Sequence, residues 1–519
     1  MSVSTLTVAP GTPAAPGAAP RAEPTATIYR LPIPGTRPPA GTPAHELAFQ
    51  RAATDPDVFA WLDHIRPAAG CTHPIRLAGT VATVDTSTDQ VLSAVDTADM
   101  PDGVIYKPCG NRRATVCPSC ADTYRRDAYQ LIRAGLVGGK GIPATVAAHP
   151  AVFPTLTAPS FGHVHTRRAS KTGRQLRCRP RRHPVLCPHG VDLRCDRIHA
   201  ADERALGQPL CLECYDHDAE VIWNYEAPEL WRRTTIAITR AIRRRAKTLG
   251  IPAKRVRLSF GKVAEMQRRG VVHYHAIVRL DGADPDHPDA LLPPPPGLTV
   301  DDLVDAVDHA ARTTGFTTDP HPANPAGWPI AWGEQVDIRP VRVHGDGAIT
   351  DGMVAGYLAK YATKSTEATG HTSRRLTDET IDLHADPDGS HTERLVDACW
   401  TLGRPRDWRG LRRWAHMLGF GGHFLTKSRR YSVTFRLLRD RRIIWRRTES
   451  GDLAAHHTQQ TTAIVGLLAY AGAGWRTPGD ALLANTSAAL ARERQQAARD
   501  ALTDQINTSP YATPQPLAA

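Results

Sequence analysis

The chain has no run approaching the roughly 20 apolar residues that a membrane span needs, and its N-terminus lacks a basic stretch followed by an apolar one. Those absences argue against a membrane protein and against secretory export, so the expectation is a cytoplasmic protein with no membrane partner. There is no Walker A motif. Gly135-Leu136-Val137-Gly138-Gly139-Lys140-Gly141 lacks both the spacing and the Ser/Thr. An intrinsic helicase is therefore not expected. The ten cysteines are not scattered as a disulfide framework would be; all but Cys399 fall in two clusters, spaced as metal ligands. No internal repeat is visible apart from those clusters.

What is present points to a polyanionic partner. The 519 residues have room for two to four domains, and the formal net charge is +12. The excess is local. Between Thr401 and Arg447 there are fourteen Lys/Arg against Asp407 and Asp440. Trp400, Trp408, Trp414, Phe420, Phe424, Tyr431, Phe435 and Trp445 are interleaved with them, which favours nucleic acid over a merely solvated basic face. Within this segment Arg429, Arg430, Arg441 and Arg442 are the candidate DNA contacts.

Along the chain, residues 1–43 are rich in Ala, Pro, Thr and Gly and read as a disordered tail. Residues 44–135 form an N-terminal zinc-ribbon region that opens with a helix near Ala44 to His64. Residues 145–365 read as a further domain, with a zinc module inserted at 178–214 and a basic amphipathic helix from about Pro228 to Leu249. Residues 366–450 hold a polar loop excursion and then the basic aromatic region, and 451–519 a helix-rich tail.

The most informative segment is Val271 to Val278, with His273 and His275 on either side of Tyr274. Its alternation reads as a strand, so both imidazoles share a face, as half of a metal site would. If Arg268-Arg269-Gly270 is a three-residue turn, Glu265 lies opposite His273 and Val263 opposite His275, and Glu265 becomes a third ligand. A two-residue turn would send Glu265 to the other face. Two imidazoles and a carboxylate suit Mn²⁺ or Mg²⁺, although Zn²⁺ takes the same set. Downstream, Val354 to Lys364 reads as a helix with Tyr357 and Tyr361 on one face and Lys360 and Lys364 each three residues beyond a tyrosine.

Cys109, Cys117 and Cys120, with Cys71 upstream, read as a four-cysteine zinc ribbon. Cys211 and Cys214 form a second knuckle. Its partners are ambiguous among Cys178, Cys187, Cys195, His183, His189 and His199, and the repeated seven-residue spacing favours Cys187 and Cys195. One or two structural Zn²⁺ ions are expected. Cys399 has no nearby partner and reads as a buried thiol.

Phe153-Pro154-Thr155-Leu156-Thr157, then His273-Tyr274-His275, then Val354 to Lys360 resemble, in that order, the three motifs of rolling-circle replication initiators of the His-hydrophobic-His (HUH) endonuclease superfamily. Cys109 to Ala114, Lys262 to Glu265, Arg279 to Gly282, and Leu418-Gly419-Phe420 to Tyr431 resemble the RepSA-type initiators of actinobacterial plasmids and integrative elements. The resemblance implies an α+β fold: an HUH-type domain with a central antiparallel sheet, zinc-ribbon modules and a helical basic C-terminal region. It implies nicking of one origin strand, a 5′-phosphotyrosyl intermediate on Tyr357 or Tyr361, and a free 3′-OH primer. Origin DNA, duplex and single-stranded, would be the partner, with a host helicase and DNA polymerase. Tyr274, only partly hydrophobic, and the long gap after the first motif depart from small initiators. A conjugative relaxase, a transposase of the same superfamily and a non-catalytic zinc-containing regulator are the competing readings. Most relaxases carry the tyrosine before the His motif, whereas here it follows.

Overall fold

The computed structural model describes residues 41–341 apart from 86 and 171, then 351–361, 375–449 and 462–508. The N-terminal tail to residue 40 lies outside them, and so does Lys364.

A five-stranded antiparallel sheet organises the middle of the chain, in the order Val336–Pro340, Ala151–Leu156, Val272–Gly282, Val256–Met266, Leu425–Lys427. The central strand, Val272–Gly282, is buried along its whole length. Both of its faces are covered, so His273, His275, Arg279 and Asp281 are buried along with the apolar residues that alternate with them. On one face Tyr274, Ala276, Val278 and Leu280 pack against the helices His217–Thr248, Val300–Thr313 and His391–Leu402. On the other, Ile277 and Val263 meet Leu131 and Ile132 of the helix Pro118–Val137, Val354 and Leu358 of the helix Asp351–Tyr361, and Tyr431. Period-two alternation places His273 and His275 on this second face.

Helix His217–Thr248 starts eleven residues before Pro228, the expected start. Asp216 caps it by accepting from the Ala219 amide. The proline costs one main-chain bond, but Val221, Ile222, Ala227 and Leu230 are buried on either side of it and hold the helix together. The predicted 299–314 helix is Val300–Thr313, closed at its start by a Thr299–Asp302 capping box.

A second, four-stranded sheet joins the two ends of the chain. Strand Thr462–Ala473 pairs antiparallel with Ile75–Asp85, which also pairs with Val91–Asp96 and Ile105–Lys107. The tail read as helix-rich thus contains a strand before its helix, Pro478–Thr508. The small and β-branched residues of Thr462–Ala473 carry little period-two contrast, and only pairing with residues almost 400 positions away makes them a strand. Arg51 ties the ends further by bonding Asp102 and Asp480, both at 3.0 Å.

Most of the described rings of the basic aromatic segment face inward. Trp408, Phe420, Phe424 and Tyr431 are buried, and Phe435 stacks on Tyr124. They are core residues that happen to alternate with arginines, which removes ring stacking on bases as the reason for their placement. The side chain of Trp445 lies outside the described residues.

Candidate metal and nucleophile site

The hairpin register is the one that a three-residue turn demands. Glu265 pairs with His273 and Val263 with His275. Gln267 N–H donates to the Val271 carbonyl at 2.9 Å, and Gly270 closes the turn at φ +89°, a conformation suited to glycine. Asn224 holds the turn from behind. Its amide donates to the carbonyls of Gly270 and Leu418, both at 2.9 Å, and its oxygen accepts from Val272 N–H at 2.9 Å.

The two imidazoles lie with centroids 4.5 Å apart. His275 Nε2 is 3.3 Å from Glu265 Oε2, and His275 Nδ1 is 3.2 Å from Thr155 Oγ1 on the neighbouring strand. Among the described residues, His273 Nδ1 is buried without a hydrogen-bond partner. Burial holds the His273 imidazole down at about 3, helped by the neighbouring His275 and Arg269 charges, so it is neutral at pH 7 with a lone pair available. An orphaned neutral nitrogen beside an imidazole and a half-buried carboxylate fits a divalent cation. Glu265 and His275 stand in contact, but with His273 the three donors do not all lie within 4.8 Å of one another, as those of the Cys/His groups below do.

The helix Asp351–Tyr361 packs over the same face. Val354, Ala355, Leu358 and Ala359 are buried, which turns Tyr357 toward the histidines at 41% exposure. Its ring meets His275 edge-on, with centroids 5.0 Å apart, and Phe153 at 6.0 Å. Phe153 stacks on His275 at 5.9 Å. The three segments singled out in the sequence thus converge on one place. Lys360 is exposed on the same helix, Tyr361 ends it with a side chain outside the described residues, and Lys364 lies outside them altogether.

Among the described residues, three Cys/His groups have ligand atoms within 4.8 Å of one another: Cys71, Cys109, Cys117 and Cys120; Cys187, His189, Cys211 and Cys214; and His165, Cys178, Cys195 and His199. In the first, neighbouring sulfurs stand 3.7–3.8 Å apart, matching the roughly 3.8 Å edge of a tetrahedron with 2.3 Å Zn–S bonds. The second corrects the expected set. His189, not Cys195, joins Cys187 and the Cys211/Cys214 knuckle, with His189 Nδ1 3.2 Å from Cys214 Sγ. Equal spacing misled because Cys195 N–H and C=O pair with Arg179, which carries its thiol to a different group. The signals for that group were Cys195-x3-His199 and the nearby Cys178. These clusters can hold a metal such as zinc.

Of the four arginines singled out, Arg429 is 81% exposed and Arg441 is exposed. Arg430 is bound to Asp289, and Arg442 to Asp127 across two hydrogen bonds. The helix read from the sequence as basic and amphipathic supplies a further cationic surface, to which no DNA role was assigned. Arg240, Arg243, Arg244 and Lys247 line an open groove with His309, on the helix that covers the sheet face opposite the histidines.

Residues 57–489 match the RepSA family, described as "Replication initiator protein, pSAM2". A replication initiator protein of Streptomyces ambofaciens is 43% identical over 472 residues, covering 88% of this chain and 95% of that protein. No solved structure matches the chain. No helix among the described residues is long and apolar enough to cross a membrane.

Proposed function

The chain belongs to the RepSA replication initiator family, and from that premise we propose that it starts rolling-circle copying of a plasmid or integrative element by nicking one strand of its origin. The observation that carries this reading is Tyr357, half exposed and packed edge-on against His275 at 5.0 Å.

The Tyr357 phenol loses its proton, and its oxygen attacks the scissile phosphorus. The P–O3′ bond breaks, and the departing 3′ oxygen keeps the electron pair and takes up a proton. The products are a tyrosine ester of the 5′-phosphate and a free 3′-OH primer. Closure is the reverse attack by a 3′-OH. His273, His275 and Glu265 would hold a Mn²⁺ or Mg²⁺ ion, which supplies Lewis acidity toward the scissile phosphate. Thr155 fixes the His275 ring through its 3.2 Å contact. Lys360, three residues beyond Tyr357, and Lys364, in the same relation to Tyr361, would stabilise phenolate or phosphate oxygen. Tyr361 would serve the second transfer. Arg429, Arg441 and the Arg240–Lys247 groove would hold the duplex by its phosphates.

A host helicase would unwind the template and a host polymerase extend the primer in the cytoplasm. A metal-dependent nicking assay on supercoiled DNA carrying the element's own origin tests the reading. Covalent labelling of the protein by the 5′ end is the expected result, and nicking without a protein adduct would refute it.

A further inference from the structure

Two of the Cys/His groups share the segment between the strand Ala151–Leu156 and the helix that begins at His217. Their ligands alternate along the chain. His165 and Cys178 belong to one group, Cys187 and His189 to the other, Cys195 and His199 to the first again, and Cys211 and Cys214 to the second. We propose that this segment is a cross-braced module holding two zinc ions, three for the whole chain, and that the His165/Cys178/Cys195/His199 centre braces the turn of the histidine hairpin.

The ligand geometry comes first. His165 Nδ1 and Cys195 Sγ stand 3.2 and 3.4 Å from the same atom, His199 Nε2. Cys178 Sγ accepts the Thr166 N–H at 3.1 Å, as thiolates in zinc knuckles do. Lone pairs converging on one point repel unless a cation lies among them. Two soft thiolates with two imidazoles are a zinc set.

A second observation points the same way. The far nitrogen of His199, Nδ1, is 2.9 Å from Glu203 Oε1, and Arg197 holds that carboxylate at 2.6 Å. The contact lacks hydrogen-bond geometry, but a carboxylate so close to Nδ1 electrostatically favours a proton there and the lone pair on Nε2, the nitrogen that faces Cys195 and His165. The His199 side chain is fully buried, so this arrangement is part of the interior.

The segment also has little else to hold it. Among the described residues its only strands are the two-residue pair Arg168–Ala169 and Gln175–Leu176, and apart from cysteines its buried apolar residues around the ligands are Val164, Leu206 and Tyr215. So small a core leaves chain-ordering entropy unmet, and metal ligation is the usual substitute. The interlacing adds cooperativity. Each ion closes a loop that contains ligands of the other, so release of one lengthens the loop that the other must close.

Glu203 links this centre to the hairpin. Its main-chain carbonyl accepts from Arg268 Nη1 at 2.8 Å. Gly207, at φ +85°, lies so close to the turn that a Cβ there would meet Arg268 C and Arg269 N at 2.7 Å. Arg268 and Arg269 form the turn between the strand of Glu265 and the strand of His273 and His275. The ion that fixes His199 and Glu203 therefore fixes the surface on which that turn rests. This holds whether or not the hairpin nicks DNA.

Metal content of the purified full-length chain, measured by plasma mass spectrometry, tests the proposal. Three zinc ions per chain are expected, and two or fewer in Cys178→Ser/Cys195→Ser. Two or fewer ions in the wild-type chain, or three retained by the double variant, would overturn it. A single centre built from Cys187, Cys195, Cys211 and Cys214 would instead make Cys178→Ser silent. Arg268→Ala keeps every ligand and tests the brace if the double variant fails to fold. It should retain three zinc ions while amide exchange across residues 267–271 quickens by about tenfold. Unchanged exchange would overturn the brace.

Discussion

Replacing Tyr357 by phenylalanine separates chemistry from folding. The ring stays, so its edge contacts with His275 at 5.0 Å and Phe153 at 6.0 Å survive. The residue is 41% exposed, and the substitution takes away its hydroxyl alone. Stability should change by no more than about 0.5 kcal/mol. Attack on phosphorus, in contrast, loses its nucleophile. Formation of the covalent adduct at the origin nick should fall by about 10⁴-fold or more, equivalent to about 5.4 kcal/mol of barrier. The assay incubates wild-type and variant chains with Mn²⁺ and a 5′-end-traceable origin strand, resolves adducts on denaturing gels, and maps the modified residue by mass spectrometry. Urea unfolding of both proteins checks that the fold is equal. Tyr361→Phe should retain the first adduct and lose strand closure. A nucleotide found on Tyr361 alone reverses the assignment, and an adduct on neither tyrosine refutes the nucleophile.

His273→Ala with His275→Ala should abolish metal-dependent nicking yet leave duplex origin binding within about threefold, because affinity comes mainly from phosphate contacts elsewhere; undiminished nicking would end the metal assignment. Glu265→Gln should weaken Mn²⁺ binding by about tenfold or more in titration calorimetry, and wild-type affinity would remove Glu265 from the ligand set. Replacing exposed Arg429 and Arg441 should lower the salt slope of duplex binding by about one unit per lost phosphate contact, read by fluorescence anisotropy across salt concentrations. Arg442→Ala should instead cost stability, about 1–3 kcal/mol in urea unfolding, because it strands the largely buried Asp127. Glu220 is fully buried and its carboxyl is pushed up to about 8, chiefly by burial. A carboxyl raised on folding keeps its proton in the native state, so its contribution is complete below the ordinary value near 4.5 and declines as pH rises through about 8. Glu220→Gln should flatten that decline by a few kcal/mol on the order of the shift, seen as urea midpoints that converge with wild type at pH 5 and diverge at pH 8; parallel profiles would refute it.

The histidine hairpin was legible in the sequence because every rule that sets it is local. Alternation puts His273 and His275 on one face, and the turn length fixes Glu265 opposite His273. The Tyr357 helix was legible for the same reason, from period and propensity over eleven residues. The first cysteine group was likewise readable, since Cys117 and Cys120 make a knuckle and only Cys71 and Cys109 lie near enough to complete it. Tertiary structure decided the rest. Cys195 follows its main-chain pairing with Arg179 rather than its spacing from Cys187, and nothing local announces that partner. Thr462–Ala473 became a strand by pairing with Ile75–Asp85, the other end of the chain. Trp408, Phe420 and Tyr431 turned from the expected DNA surface into the core, since burying a ring outweighs leaving it among solvated arginines. Local geometry is set by a few dihedrals that the sequence carries within a turn or two. Long-range closure depends on which distant segments gain most by excluding water together, and no spacing rule contains that.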